Sequence, residues 1–187
     1  MSVIPINVYG DKILRKKAQS VSNIDFLAVE LIKNMFETMR HANGVGLAAT
    51  QVGIDQSIFV VDLSQVEDYE KFKPMVFINP KILDFSDKKV SIEEGCLSIP
   101  NVRYEVQRPE SIYINYFDTN LKEHTLEADK FLARVIQHEQ DHLNGVLFTD
   151  HLDEDAKKKL KKSLEKIKKR EIEIDYPIVQ KENLRLK

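Results

Sequence analysis

The sequence predicts an α+β fold: antiparallel β-sheets around a central helix, with an N-terminal helix before them and a C-terminal helix after. Three observations lead there. Residues 24–41 and 153–170 carry apolar side chains at helical spacing among polar neighbours. Between them lie several short strand-like runs, and short connections of this kind favour antiparallel pairing. A further helical stretch near residue 135 contains His138-Glu139-Gln140-Asp141-His142, an H-E-x-x-H motif.

The first helix is predicted over 24–41, with Ile24, Leu27, Leu31, Met35 and Met39 as its apolar stripe and Asn43-Gly44 as its stop. Gly44-Val45-Gly46-Leu47-Ala48-Ala49-Thr50-Gln51-Val52-Gly53 comes next, too small-sided for an ordinary helix. Strands are predicted at 58–63, 75–79, 90–92, 111–117 and 121–126. In the fourth, Ile112, Ile114 and Tyr116 alternate with Tyr113, Asn115 and Phe117, so both faces are expected to be covered. Asp118-Thr119-Asn120 reads as the hairpin turn joining the last two. The second helix runs from about Asp129 to His142 and stops at Asn144-Gly145. Leu132, Val135, Ile136 and Leu143 would bury it against the sheets, which makes it the central helix. The third, over 153–170, has a narrow stripe of Leu160, Leu164 and Ile167, and Tyr176-Pro177-Ile178-Val179 then reads as a short extended segment. Residues 1–170 are expected to be one catalytic domain, with 156–170 as its basic C-terminal helix and 171–187 as a C-terminal extension.

Composition bounds the function. In 187 residues, 42% hydrophobic content is enough for a core and 31% charged content suits a soluble protein. No apolar run approaches the roughly 18 residues that span a bilayer. Met1-Ser2-Val3-Ile4-Pro5 has neither a signal peptide's apolar region nor a transit peptide's Arg-rich character, so a cytoplasmic location without membrane attachment is expected. Cys96 is the only cysteine, which excludes an intrachain disulfide and fits a reducing compartment. A lone cysteine is ordinarily a small buried hydrophobe. The net charge of −2 is unevenly spread, because residues 156–170 hold nine Lys or Arg against one acid and the rest is strongly acidic. A nucleic-acid partner is therefore conceivable for that segment and excluded for the body.

On a helix, His138 and His142 are four residues apart and project from one face, so their rings can close on a single metal ion. Glu139 beside them is a candidate proton carrier for a metal-bound water. Two solvated histidines are the plain alternative, and the apolar residues of the same helix argue against it. A catalytic metal commonly takes three protein ligands and keeps one position open. The third ligand is either an acid or Cys96, which lies in Glu93-Glu94-Gly95-Cys96-Leu97-Ser98-Ile99-Pro100 directly after a predicted strand. Gly95 lets that backbone approach another element closely. A rival pattern is G-x-G-x-x-A at Gly44 to Ala49, with Asp62 ending a strand 16 residues beyond Gly46. Dinucleotide binding needs a strand before that pattern and a helix opening within it. Here a helix precedes it and Gly53 breaks the segment after it, which excludes the nucleotide fold.

Gly44-Val45-Gly46-Leu47-Ala48-Ala49-Thr50-Gln51, Glu94-Gly95-Cys96-Leu97-Ser98 and Gln137-His138-Glu139-Gln140-Asp141-His142 together, in this order and at these separations, resemble peptide deformylase over roughly residues 3–165. The resemblance implies that Cys96, His138 and His142 bind one divalent ion with a water as fourth ligand. The implied ion is natively Fe²⁺, with Zn²⁺, Ni²⁺ or Co²⁺ able to take its place. The implied reaction is removal of the formyl group from the N-terminal formyl-methionine of nascent polypeptides, by attack of the metal-bound water with release of formate. Glu139 would act as base and then acid. The Gln51 side-chain amide and the Leu97 backbone N–H resemble the family's oxyanion donors. Gly44, Val45 and Gly46 would lie beside an extended substrate, pairing with it as an added strand.

Val45 and Val135, with the stem of Arg134, would line the methionine pocket. Arg134 departs from the family's usual apolar residue, and its charge is expected to reach water along the pocket edge. Arg103 would shape the rim or form an ion pair with Glu94, and Asp141 and Arg108 a second pair that steadies the motif helix. For the basic helix, a solvated face accounts for the charge, and the resemblance adds docking on ribosomal RNA. A monomer is expected. Two other function classes remain at this point: an H-E-x-x-H zinc endopeptidase, with His151 available as third ligand in place of Cys96, and a noncatalytic RNA-binding module led by residues 156–170.

Overall fold

The computed structural model describes residues 2–181, and its centre is the apolar run Ile58–Val61. This run is β2. Ile58 and Val60 face one layer of the core and Phe59 and Val61 the other, so all four are buried. A strand covered on both faces needs no alternation of polar and apolar residues. It is the second strand of a five-stranded antiparallel sheet ordered β1-β2-β3-β6-β7. The others are β1 (Gly46–Ala48), β3 (Met75–Phe85), β6 (Ser111–Phe117) and β7 (Glu123–Asp129). The two remaining strands, β4 (Lys89–Cys96) and β5 (Ile99–Pro109), form a separate antiparallel hairpin.

α1 (Phe26–His41) packs on one face of the large sheet through Ile32, Met35 and Met39. α2 (Lys130–Leu143) packs on the other through Ala133, Val135, Ile136 and Leu143, against Phe59, Phe77, Ile112 and Ile114. Each large apolar side chain buried this way contributes roughly 1.5–3 kcal/mol. α3 (Glu154–Lys169) lies against the hairpin, where Ala156, Leu164 and Ile167 meet Ile99, Val102 and Val106. The motif helix is thus held between a sheet and a hairpin.

Several boundaries differ from those expected. α1 starts at Phe26 because Asp25 caps it, its side chain accepting from the Ala28 N–H. Its buried stripe is Ala28, Ile32, Met35 and Met39, whereas Leu27 is 70% exposed. β3 continues past Asn79 through Pro80, which lies at a register shift between Ile78 and Lys81 where a ladder donor is not required. β7 begins at Glu123 because the Asp118 side chain accepts from the N–H groups of both Asn120 and Lys122, which lengthens the turn. β4 is longer than the predicted 90–92, and β2 shorter than 58–63. β1 and β5 were not expected at all. β1 is three small residues, while β5 has prolines near both ends and a buried arginine, Arg108, at an inward position.

The first residues are bound to distant parts of the chain. Ile6 N–H donates to the Pro177 carbonyl and Val179 N–H to the Ile6 carbonyl, forming a parallel bridge between Ile6 and Ile178. Asn7 N–H donates to the Gln51 carbonyl and Tyr9 N–H to the Ser98 carbonyl. Of the extended segment expected at Tyr176–Val179, Ile178 forms the bridge while Tyr176 lies in a bend, and the polar stretch 182–187 lies outside the described residues.

Candidate metal centre and substrate cleft

β4 ends at Cys96, and α2 brings His138 and His142 to it on one helical face. Cys96 Sγ lies 3.2 Å from His142 Nε2, and one ligand atom from each of the three residues lies within 4.8 Å of the others. His138 Nδ1 is committed to Glu94 Oε2 at 2.9 Å, which leaves Nε2 as the ring's remaining donor. That carboxylate fixes ring orientation and tautomer, as supporting acids do for metal-binding histidines. Burial alone would raise the Cys96 thiol, but the two imidazoles against it win and bring its pKa down to about 5. One sulfur and two ring nitrogens, three donors rather than four, fit a first-row divalent cation with a position open to solvent.

Glu139 is 4% exposed, and its Oε2 has no hydrogen-bond partner among the described residues; neither has His142 Nδ1. Burial pushes the Glu139 carboxyl up to about 7, and the negative charges of Cys96 and Glu94 push the same way against the two histidines. Gly46 explains how this carboxylate fits: a Cβ at that position would overlap the Glu139 side chain.

Glu94 is the organising acid. Arg108 donates to it through Nε at 2.7 Å and Nη2 at 3.1 Å, and Arg134 through Nη1 at 2.8 Å. Burial opposes ionisation, yet the His138 and Arg108 bonds hold its carboxyl well below the usual range. Arg103 does not pair with Glu94. Its guanidinium is 3.8 Å from Glu93, on the outside of the hairpin, although the residue does border the cleft. Arg134 does not reach water either: it is 3% exposed and also donates to the carbonyls of Val106 at 2.7 Å and Val90 at 2.6 Å. The expected Asp141–Arg108 pair is present at 2.7 Å. His151 bonds Asp141 at 2.6 Å, which ties it to that pair rather than to the motif histidines.

Glu94, Cys96, Arg134, His138 and Glu139 line a cleft of about 720 Å³. Gly44, Val45, Gly46, Leu97 and Val135 line it together with Gln51. Gln51 Oε1 accepts from the Ala48 N–H at 2.8 Å, so its Nε2 points to Ser98 Oγ at 3.1 Å and Cys96 Sγ at 3.6 Å. Phe131 and Tyr176 are among the lining residues that went unread in the sequence. Phe131 precedes Val135 by one helical turn, a spacing that marks it as part of the same face. Tyr176 reaches the cleft from the C-terminal segment, and no local pattern signals that. Its hydroxyl donates to the Leu97 carbonyl at 2.8 Å; burial, and then the nearby Cys96 sulfur, push its pKa upward. Asp62, the acid of the rejected dinucleotide pattern, is bound to Arg40 Nη2 at 2.7 Å.

Residues 3–158 match the sequence profile of polypeptide deformylase. The chain belongs to that family. A peptide deformylase of Chlorobium phaeobacteroides is 48% identical over 176 residues, covering 94% of this chain and 95% of the relative. Among solved structures, peptide deformylase from Ehrlichia chaffeensis superposes with a TM-score of 0.82 at 38% identity, covering 90% of this chain and 97% of that one. The Thermus thermophilus enzyme gives 0.81 at 38% identity, with 90% and 99% covered. The α+β deformylase fold with antiparallel sheets is therefore shared. As a deformylase, the chain is a metal-dependent hydrolase that removes the formyl group from the N-terminus of nascent polypeptides, and the endopeptidase reading is not favoured.

Proposed function

We propose that this deformylase holds one Fe²⁺ on Cys96, His138 and His142, moves protons through Glu139, and stabilises the developing oxyanion with the Gln51 amide and the Leu97 N–H. One observation supports this: donors from β4 and α2 converge within 4.8 Å beside a buried carboxylate whose second oxygen has no partner among the described residues. When bound, the ion supplies Lewis acidity that lowers the pKa of water and polarises the formyl carbonyl. Zn²⁺, Ni²⁺ and Co²⁺ accept the same donors.

Glu139 takes the proton of the attacking water on a carboxylate oxygen, and returns it to the methionine nitrogen as the C–N bond breaks and formate leaves. The Gln51 amide is held beside the site, since its oxygen accepts from Ala48, and its nitrogen, which donates to Ser98 Oγ and Cys96 Sγ, turns one of those N–H groups to the oxyanion. Removing one such donor typically costs about 3–4 kcal/mol of transition-state stabilisation. Val45 and Val135, with Phe131, give the methionine side chain apolar walls, and Arg103 shapes the rim. β1, which starts at Gly46, is an outer strand of its sheet, so an extended peptide can pair along its edge, beside Gly44 and Val45 in the cleft lining.

The catalytic domain spans residues 1–170, with 171–187 as an extension, and works as a monomer in the cytoplasm, where formylated chains are made. No helix among the described residues is long and apolar enough to cross a membrane. The outward face of α3, with Lys158, Lys159, Lys161 and Lys162 exposed, docks on ribosomal RNA, while Leu164 and Ile167 hold the helix to the hairpin.

Formate release from formyl-Met-Ala-Ser by anaerobically purified protein, with metal content determined on the same sample, tests the reading. Glu139→Ala should keep the metal and lose about 10²–10⁴-fold in kcat. Cys96→Ala should lose the metal. Retained metal with cleavage of internal peptide bonds in that variant would instead favour an endopeptidase.

A further inference from the structure

The segment after α3 lies outside the matched region 3–158 and has no role in the chemistry above. It is nevertheless fastened to the domain at several points. Asn101 Nδ2 donates to the Glu173 carbonyl at 3.1 Å, and the Ile6–Ile178 bridge holds Pro177 and Val179 on either side of Ile178. Arg170, which closes α3 in a left-handed conformation, donates to the Val179 carbonyl at 3.1 Å and to both oxygens of Asp11. The result is to deliver Tyr176 into the cleft, with its hydroxyl on the Leu97 carbonyl at 2.8 Å.

That carbonyl belongs to the Leu97–Ser98 peptide unit. The N–H of the same unit, on Ser98, points the other way and donates to Cys96 Sγ at 3.4 Å. A planar peptide held at both its oxygen and its nitrogen cannot rotate about its flanking bonds. The two bonds also reinforce each other, because a carbonyl that accepts a hydrogen bond makes its own N–H a better donor. N–H donation to a ligating sulfur is one of the ways a protein tunes a metal. The next peptide is held too, since the Ser98 carbonyl accepts from the Tyr9 N–H at 2.8 Å.

We propose that Tyr176 is a positioning residue for deformylation: its hydroxyl clamps the Leu97–Ser98 peptide, keeping the Ser98 N–H on the Cys96 sulfur. The proposal rests on the metal role assigned above to Cys96. A ring that only fills the cleft wall would do the same work as phenylalanine. The hydroxyl is what the clamp requires.

Full-length Tyr176→Phe separates the two. In the zinc-loaded, diamagnetic protein, amide exchange at Ser98 should accelerate about tenfold or more relative to the unaltered chain. kcat for formyl-Met-Ala-Ser should fall about tenfold, equivalent to about 1.4 kcal/mol, with KM unchanged. In the cobalt-substituted protein the thiolate-to-cobalt charge-transfer band should shift. Tyr176→Leu, which also removes the ring, should reproduce the exchange change and raise KM as well. Unchanged Ser98 exchange in both variants, or a rise in KM alone in Tyr176→Phe, overturns the clamp. Because exchange at Ser98 is read without turnover, a protein that released no formate at all would sink the functional reading while leaving this measurement to be judged separately.

Discussion

Glu94 accepts from His138, Arg108 and Arg134 at once, and each bond has a different consequence. The first orients the His138 ring and, with the Arg108 bonds, keeps the buried carboxylate charged; the third ties in Arg134. The motif residues were legible because their spacing is local, whereas Glu94's partners are 14, 40 and 44 positions away. The expected partner, Arg103, is opposite Gly95 in the hairpin register, and only recognition of β5 would have turned it outward. Asp62 was legible as an acid and misleading as a motif. Its carboxylate is 5% exposed; burial raises its pKa, but the bonds from Ser64 and Arg40 outweigh that and leave it below the ordinary value. A depressed folded-state pKa contributes stability above the unfolded value, near 3.9, and that contribution is lost as pH falls through the folded value. Asp62→Asn should therefore flatten the fall of melting temperature below about pH 4, measured by circular dichroism between about pH 3 and 7. Parallel slopes for the two proteins would count against it.

Among the elements, α2 shows how a helix read correctly in outline can be misread at one position. Its apolar face and its stop at Asn144 were predictable from period and cap chemistry. Arg134 was expected to send its charge into water, but the β4–β5 hairpin covers it and supplies three acceptors, Glu94 and the carbonyls of Val90 and Val106. The arginine thus fastens the motif helix to the strand that carries Cys96. In α1 the first half of the stripe is displaced by one residue, to Ala28 and Ile32 with Leu27 in solvent, while Met35 and Met39 are buried as expected. Arg134→Met would strand two carbonyls and one arm of Glu94, and removing one partner of a buried pair costs about 3–5 kcal/mol. At roughly 2–4 °C per kcal/mol for a chain of this size, calorimetry should show a melting temperature lower by about 10 °C. Chelator competition should show metal affinity weakened about 10–100-fold, the usual cost of disturbing a ligand's support. A variant unchanged in both would mean that the guanidinium is free at the surface after all.

The whole molecule carries its charge in two parts, a basic α3 and an acidic remainder, and this was visible in composition alone. What composition could not give is which face of α3 is free, and burial of Ala156, Leu164 and Ile167 leaves the lysines outward. Replacing Lys158, Lys159, Lys161 and Lys162 by Gln should weaken ribosome binding and reduce its logarithmic salt slope by roughly 3, at about 0.7–0.9 for each phosphate no longer neutralised. Equal affinity in sedimentation at about 50 and 200 mM salt would leave α3 a solvated surface. Assembly of the site depends on a different long-range feature, the run from Ile6 to Tyr9, which bonds to the carbonyls of Pro177, Gln51 and Ser98. Such far-separated closures carry the largest loop entropy and tend to form late. Refolding should accordingly restore helicity well ahead of turnover, and mild heating should extinguish turnover first, because this chain's catalyst is completed by its least local contacts.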